Sequence, residues 1–306
     1  MKEKIDLSVE IAGVKLKNPV IAASGTFGYG DEITDLIDVS KLGAVVTKTI
    51  TLEPRSGNPV PRLAETASGL LNTIGLQNVG VQKFLKEKWE DLRKLGVPVV
   101  VSIAGETAQE YVEVVKILEE VVGIAAIELN LSCPNVSKRI ICKDSSLVEE
   151  IISQISRISK VPIIAKLSAQ VDDLVYLSVL AEKSGAKALS LVNTFPGMAI
   201  DVKSWKPKLS TVTGGLSGPA IKPLALKCVW EVFGKVNIPI IGGGGISTAE
   251  DALEFFLAGA NAVSVGTANF IDPMNPIKIL NGLEEYFKSR KILKMQEIVG
   301  KLKVEE

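Results

Sequence analysis

The sequence predicts one α/β domain over residues 1–306, folded as a closed parallel (β/α)8 barrel. Three observations support this prediction: short apolar runs rich in valine and isoleucine recur along the chain, the runs are continuous rather than alternating, and amphipathic helical patterns separate them. Continuous apolar runs are typical of strands buried on both faces, as in a parallel sheet that is covered by helices.

The apolar runs give eight predicted strands, at residues 19–24, 44–50, 98–103, 126–132, 161–168, 188–194, 238–243 and 262–266. Helical patterns with one apolar stripe follow them, at residues 81–95, 108–122, 147–158, 171–183, 221–236, 248–257 and 276–287. Repeated strand-then-helix units of this number favour a closed TIM-type barrel over an open doubly wound sheet.

Two segments lie outside the strict repeat. Residues 9–16, with Gly13 at their centre, predict a small N-terminal hairpin that caps the bottom of the barrel. Residues 195–219 are too long for a simple connection after the sixth strand. Their alternating pattern predicts a second hairpin, in an elaborated loop over the top of the barrel.

Charge and composition restrict the class of partner. Lysine plus arginine and aspartate plus glutamate both number 35, so no net field attracts the chain to nucleic acid or to a membrane surface. The charged N-terminus and the lack of an apolar run of about 20 residues predict a cytoplasmic protein with small-molecule or protein partners. Three cysteines without a CxxC pair, and no histidine, argue against a zinc site and exclude Ser-His-Asp and Cys-His chemistry.

Polar residues end six of the predicted strands. In a (β/α)8 barrel the active site lies at the carboxyl ends of the strands. Two of the runs contain a lysine, and an unpaired ammonium is costly to bury. The pattern therefore predicts a shared polar cavity formed by Ser24, Lys48, Thr49, Ser102, Asn130, Ser132, Cys133, Lys166, Ser168, Asn193 and Thr194.

The last two strands end in glycine, at residues 242–245 and at Gly266, and a helical pattern follows each. Backbone N–H groups beside glycine approach an anion closely, so the two turns predict a phosphate site rather than plain tight turns. Gly25, Gly28 and Gly30 also precede a predicted helix, but their GxxGxG spacing reverses the dinucleotide fingerprint. Lys48, not an acid, ends the second strand, so this chain is not expected to bind NAD in the Rossmann manner.

The three cysteines have different surroundings. Cys228 lies among apolar residues of a predicted helix and reads as a small core residue, and Cys142 lies in a polar loop. Cys133 follows the fourth strand at the active end of the barrel, where a partly deprotonated thiol could abstract a proton. Because histidine is absent, Cys133 is a leading candidate for the catalytic base.

Several separated motifs occur in order: RSGNP at 55–59 with PR at 61–62, LNTIGLQN at 71–78, NLSCPN at 130–135, NT at 193–194, GMAID at 197–201 and GGLSGPAIKP at 214–223. With these motifs the chain resembles the dihydroorotate dehydrogenases, in particular class 1B catalytic subunits, over about residues 7–273. The resemblance implies oxidation of dihydroorotate to orotate with FMN. Cys133 would remove the proton from carbon five of the substrate while carbon six delivers hydride to the flavin.

The resemblance also implies two sets of binding residues. Lys166 would stabilise the negative charge of the reduced flavin ring. The residues expected to bind FMN are Ser24, Lys48, Thr49, Ser102, Asn130, Lys166, Val192, Gly218, Gly244, Gly245, Gly266 and Thr267. Those expected to bind the substrate are Lys48, Asn72, Thr73, Ile74, Gly75, Leu76, Asn130, Asn193 and Thr194.

Class 1B enzymes act with a second subunit, which carries FAD and a 2Fe-2S cluster and passes electrons to NAD. The resemblance therefore implies a heterotetramer built around a homodimer of this chain. Gln77 favours this branch over the fumarate-using class 1A enzymes, which typically have proline at this position.

Three other interpretations remain. The chain could be a class 1A enzyme or a related flavin barrel acting on dihydropyrimidines. It could be a flavin-free aldolase or isomerase, in which Lys166 forms a Schiff base and the glycine turns hold a sugar phosphate. It could also be a non-catalytic scaffold, because residues 137–142 differ from the glycine-bearing loop of the family.

Overall fold

A closed barrel of eight parallel strands forms the centre of the computed structural model, which describes residues 5–30, 32–132 and 141–304. Each strand pairs with its neighbours along the chain, and the eighth closes the barrel against the first through the Ser264–Ile21 register. The predicted barrel is confirmed, and each of the eight predicted runs contains one strand. The strands are Val20–Ala22, Ala44–Val46, Val99–Ile103, Ala126–Asn130, Ile163–Leu167, Ala188–Leu191, Ile240–Gly243 and Ala262–Val265.

Burial explains why the strands read as continuous apolar runs. In the described structure every residue of these eight strands is buried except Lys166 and Ser264, which are partly exposed. Outward-facing side chains pack under the helices, and inward-facing ones fill the barrel. The two exceptions both face the cavity described below.

Amphipathic helices surround the barrel. In Ser145–Ile158, for example, the buried residues Val148, Ile151, Ile152 and Ile155 form one stripe. The helices are Val81–Glu87, Trp89–Leu92, Ala108–Leu118, Ser145–Ile158, Leu174–Lys183, Lys222–Val232, Ala249–Ala258, Ala268–Ile271 and Asn275–Arg290, with 3₁₀ turns at Val39–Lys41, Ile141–Lys143, Pro219–Ile221 and Met295–Glu297.

The first barrel strand is followed by turns rather than by the expected α-helix. Gly25, Gly28 and Gly30 have φ values of 80°, 58° and 120°, in the left-handed region that a right-handed helix excludes. Regular structure in the described part of this connection is limited to the 3₁₀ turn Val39–Lys41. The prediction that these glycines precede a helix is therefore wrong.

The N-terminal hairpin is confirmed. Strands Val9–Ile11 and Val14–Leu16 pair antiparallel, and Ala12 and Gly13 form the turn with φ values of 54° and 80°. The hairpin leads directly into the first barrel strand, at the end opposite the polar strand termini. It buries Val9, Ile11 and Leu16 against the main core.

A four-stranded antiparallel sheet covers the carboxyl ends of the barrel strands. Phe195–Met198 and Thr213–Ser217 form the predicted hairpin after the sixth strand, with an added short pair Ile200–Asp201 and Lys206–Pro207. A second hairpin, Leu63–Thr66 with Gly69–Asn72, completes the sheet through the Asn72–Gly215 register. This second hairpin was not predicted from the sequence.

Candidate active site

A cavity of about 440 Å³ lies between the carboxyl ends of the barrel strands and the four-stranded sheet. Its volume is typical of small-molecule and cofactor sites. Most of the residues predicted to bind cofactor or substrate line it together. They are Ser24, Lys48, Thr49, Asn72, Ile74, Gly75, Leu76, Asn130, Lys166, Val192, Asn193, Thr194, Gly218, Gly244, Gly245, Gly266 and Thr267.

Two predicted residues lie behind the wall of the cavity instead of lining it. Ser102 is fully buried and forms hydrogen bonds to Thr49 (2.9 Å) and Glu128 (3.1 Å). Thr73 is also fully buried, and its hydroxyl lies 2.7 Å from both Asn58 Nδ2 and Thr211 Oγ1. Their side chains therefore support the wall, and the expected ligand contacts of Ser102 and of the Thr73 backbone stay predictions.

Cys133, the predicted base, lies outside the described residues, which stop at Ser132 and resume at 141. The chain leading to it is fixed among the cavity amides. The Ser132 hydroxyl donates to Asn130 Oδ1 at 3.2 Å and accepts from Asn193 Nδ2 at 2.7 Å. The buried Tyr111 hydroxyl also donates to the backbone carbonyl of Asn130 at 2.9 Å, which fixes the end of the fourth strand.

Three carboxamides face the cavity from different elements. Asn130 and Asn193 come from the ends of the fourth and sixth strands, and Asn72 comes from the covering sheet, where its Nδ2 donates to the Gly215 carbonyl at 3.2 Å. Asn193 Oδ1 accepts from the Thr194 backbone N–H at 2.7 Å. A carboxamide offers both donor and acceptor, so the cluster suits a planar ligand with alternating carbonyl and N–H groups.

Two lysines line the cavity in different electrostatic surroundings. Lys166 Nζ lies 3.7 Å from Glu128 Oε1, and the Glu128 side chain is almost completely buried. Desolvation by burial lowers the pKa of Lys48; the nearby Glu32 opposes this shift, and Arg62 adds to it. Sequence reasoning missed Glu128, although a carboxylate within an apolar run is the same signal that singled out the lysines.

The glycine turn after the seventh strand has the conformation that close approach requires. Gly244 and Gly245 have φ values of 123° and 82°, and a Cβ added at Gly245 would lie 2.8 Å from the backbone nitrogen of Lys222. Residues other than glycine are therefore excluded at position 245. Gly244 and Gly245 line the cavity together with Gly266 and Thr267 from the turn after the eighth strand.

Asp251, a second residue that the sequence analysis missed, supports this turn from behind. Its Oδ2 accepts from the backbone N–H groups of Ser247 and Thr248, each at 2.9 Å, and its Oδ1 pairs with Lys222 Nζ at 2.7 Å. Asp251 therefore occupies the two backbone N–H groups that directly precede helix Ala249–Ala258. Burial would raise the pKa of Asp251, but the bonds from Lys222, Ser247 and Thr248 outweigh it and lower the pKa to about 2.

The two described cysteines lie away from the cavity. Cys142, expected in a polar loop, is instead buried in the 3₁₀ turn Ile141–Lys143, and burial raises its pKa to about 12. Cys228 is half-buried on helix Lys222–Val232 and packs against the core, as predicted. Burial also raises the pKa of Cys228.

The fold and the site together define a (β/α)8-barrel enzyme with a cavity lined by carboxamides, two lysines and glycine turns. The family model described as Dihydroorotate dehydrogenase matches residues 6–287. The chain therefore belongs to the dihydroorotate dehydrogenase family, an oxidoreductase family that depends on FMN, and the resemblance stated from its motifs is confirmed.

Curated relatives match the chain over nearly its whole length. A protein from Endomicrobium trichonymphae, named dihydroorotate dehydrogenase B (NAD(+)), catalytic subunit, is 55% identical over 96% of this chain and 96% of its own length. Proteins of the same name from Geotalea daltonii and Caldicellulosiruptor saccharolyticus are 49% and 48% identical over 98% of this chain, and over 99% and 100% of their own lengths.

Among solved structures, the crystal structure of DHODH in complex with ferulenol from Eimeria tenella aligns with a TM-score of 0.81. The alignment covers 98% of this chain and 89% of that one at 23% identity, so it supports the fold alone. Within the residues that the structure describes, no helix is long and apolar enough to cross a membrane.

Proposed function

We propose that this chain is the catalytic subunit of a class 1B dihydroorotate dehydrogenase, a cytoplasmic enzyme that oxidises dihydroorotate to orotate with FMN bound in the cavity. The main support is the convergence in one cavity of the three carboxamides, the two lysines and the glycine turn. The names of the full-length relatives point to the same activity.

The residues present fit a phosphorylated flavin. The backbone at Gly244, Gly245, Gly266 and Thr267 would hold the phosphate, since glycine turns leave N–H groups accessible to an anion. Lys166 would lie against the part of the ring that becomes negative on reduction. Bound FMN supplies the hydride acceptor for carbon six of dihydroorotate.

The amide cluster would hold the substrate. Asn72, Asn130 and Asn193 can each match one carbonyl and N–H edge of the pyrimidine ring, and Lys48 provides positive charge for the carboxylate. Cys133 follows Ser132 directly in the sequence, and we propose it as the base that removes the proton from carbon five. With no histidine in the chain, a thiol is a suitable group for this role.

We further propose that electrons leave the FMN through a partner subunit, which carries FAD and a 2Fe-2S cluster and reduces NAD, in a heterotetramer built around a homodimer of this chain. Gln77, the residue that favours this branch, lines the cavity, and its side-chain oxygen accepts from Arg62 Nη1 at 2.7 Å. The residue that distinguishes the branches is therefore part of the proposed site.

The absorption spectrum of the purified chain, followed by anaerobic titration with dihydroorotate, tests the proposal directly. A flavin spectrum that bleaches with dihydroorotate is expected, together with NAD reduction only when the partner subunit is present. Turnover with fumarate by the chain alone would instead assign it to class 1A. A colourless protein trapped by borohydride on Lys166 would refute the flavin function altogether.

A further inference from the structure

A chain of hydrogen-bonded hydroxyl groups runs beneath the cavity and ends at a buried carboxylate. Ser24 Oγ lies 3.2 Å from Thr49 Oγ1, and Thr49 Oγ1 lies 2.9 Å from Ser102 Oγ. Ser102 Oγ in turn donates to Glu128 Oε1 at 3.1 Å. The chain thus connects two residues of the cavity wall, Ser24 and Thr49, to a side chain that does not line the cavity.

The carboxylate sets the direction of every bond in this chain. As the ion-pair partner of Lys166, Glu128 can only accept hydrogen bonds. Ser102 has a single hydroxyl proton, which it gives to Glu128, so it must accept from Thr49. Thr49 has then used its own proton and presents only lone pairs to Ser24 and to Asn130.

This direction favours one orientation of the Asn130 amide. Asn130 must turn its Nδ2 towards the Thr49 oxygen, at 3.3 Å, and therefore points its Oδ1 the other way. That oxygen accepts from Ser132 Oγ at 3.2 Å and faces Asn193 Nδ2 at 3.5 Å. The donor and acceptor pattern that Asn130 offers to a ligand is thus set in part by Glu128, a residue that does not line the cavity.

Glu128 also controls charge in the cavity through Lys166. The two groups are 3.7 Å apart, and their side chains are 4% and 13% exposed, so water screens the pair only weakly. Glu128 holds the ammonium at the cavity wall and offsets part of its positive charge. The electrostatic potential at any group bound near Lys166 therefore comes from both charges of the ion pair and not from an unpaired ammonium alone.

We propose that Glu128 is a positioning residue with two effects: it orients Asn130 through Ser102 and Thr49, and it sets the positive charge that Lys166 presents to the flavin. The inference rests on the proposed function, because it concerns FMN and dihydroorotate in this cavity. Its two effects separate by mutation, since Ser102→Ala cuts the hydroxyl chain but leaves the ion pair intact.

The test compares Glu128→Gln and Ser102→Ala with the wild type as holoproteins. The midpoint potential of the bound flavin is measured by slow enzymatic reduction against a reference dye, without dihydroorotate. Removal of the countercharge should favour flavin reduction about tenfold in Glu128→Gln, a rise of about 30 mV for a two-electron couple. Ser102→Ala should change this equilibrium less than about twofold, because both charges remain.

The KM for dihydroorotate gives the second measurement. Both variants should raise it about tenfold, because each removes the restraint on Asn130 from the Thr49 side and leaves only the contacts with Ser132 and Asn193 to orient this amide. Glu128→Asp keeps the charge and should retain a potential near that of the wild type. Glu113→Gln, a matched change on the outer helix Ala108–Leu118, should alter neither quantity.

A wild-type potential in Glu128→Gln would refute the charge effect, and an equal shift in Ser102→Ala would refute the assignment of that effect to the ion pair. An unchanged KM in Ser102→Ala would refute the orienting chain. The midpoint potential is measured without dihydroorotate. If the wild type binds flavin but dihydroorotate does not reduce it, the proposed function is rejected, while the measured potentials still decide the charge effect. A wild type that binds no flavin would reject both.

Discussion

Replacement of Asp251 by asparagine removes a partly buried charge while it preserves the size of the side chain. In the native structure Asp251 accepts from Ser247, Thr248 and Lys222, and its side chain is only 13% exposed. Burial opposes ionisation, yet these bonds hold the pKa of Asp251 at about 2 against an ordinary value of 3.8. At 1.36 kcal/mol per pKa unit, this difference corresponds to about 2 kcal/mol of folding free energy.

The sign of the effect follows from the direction of the shift. Because the folded-state pKa of Asp251 is lowered, its contribution is fully present above the unfolded pKa of 3.8 and is lost as the pH falls towards about 2. We therefore expect Asp251→Asn to lower the free energy of unfolding by about 2 kcal/mol at about pH 7. The deficit should shrink steadily below about pH 4.

Urea unfolding followed by circular dichroism, at several values between about pH 7 and about pH 3, measures this difference for wild type and variant. Asp272→Asn is a matched control, because Asp272 pairs with Lys278 at the exposed surface and solvent screens that pair. The control should have a smaller effect. A deficit in Asp251→Asn that is absent at neutral pH, or that does not change down to about pH 3, would contradict the linkage argument.

Three further predictions concern the thiols and Lys48. Cys133→Ala should keep its flavin but lose at least about 100-fold in dihydroorotate oxidation, while Cys142→Ala and Cys228→Ala remain active; undiminished turnover in Cys133→Ala would remove the proposed base. Because burial raises the pKa of Cys142 to about 12, this thiol should resist alkylation in the native protein and react only on unfolding, as peptide mass spectrometry can measure. Because desolvation lowers the pKa of Lys48, the KM for dihydroorotate should begin to rise with pH at a lower pH than an ordinary lysine would give. Lys48→Arg stays charged, so this rise should vanish in that variant. A rise that persists in Lys48→Arg would exclude Lys48 as the titrating group.

The barrel could be predicted because its strands are buried on both faces, so each appears as an uninterrupted apolar run. The hairpin Leu63–Thr66 with Gly69–Asn72 could not be recognised in the same way, since most of its residues are partly or fully exposed. Its position depends on pairing with Thr213–Ser217, which is distant in sequence. The assignment of residues 1–306 to one domain stays a prediction.

Much of the candidate site was also predictable, because polar side chains at the carboxyl ends of apolar runs converge in a closed barrel. Ser102 follows the same pattern but lies beneath Thr49. The position of a residue along a predicted strand shows at which end of the barrel the residue lies. It does not show whether the side chain lines the cavity or lies beneath its wall. The same limit applies to Thr73, whose hydroxyl is directed to Asn58 and Thr211 instead of the cavity.

The pairing of Lys166 with Glu128 could be predicted only in part from the sequence. A counterion stabilises a charged lysine within an apolar strand, because an isolated buried charge is costly. The fourth and fifth strands are neighbours, and the register that pairs Asn130 with Lys166 places Glu128 one inward position deeper on the fourth strand. The sequence therefore favours an acidic partner for Lys166, whereas the identity of that partner depends on the register of the two strands.

The two lysines of the cavity consequently have different roles in binding an anion. The charge of Lys166 is matched by Glu128 at 3.7 Å, so an incoming ligand meets a dipole whose positive end faces the cavity. Lys48 has its pKa lowered by desolvation, which the attraction of Glu32 does not offset. A carboxylate that binds beside Lys48 restores the missing stabilisation and raises its pKa, so anion binding and protonation of Lys48 must reinforce each other. We therefore expect selectivity for an anionic substrate to depend more on Lys48, whose charge is incompletely stabilised, than on the paired Lys166.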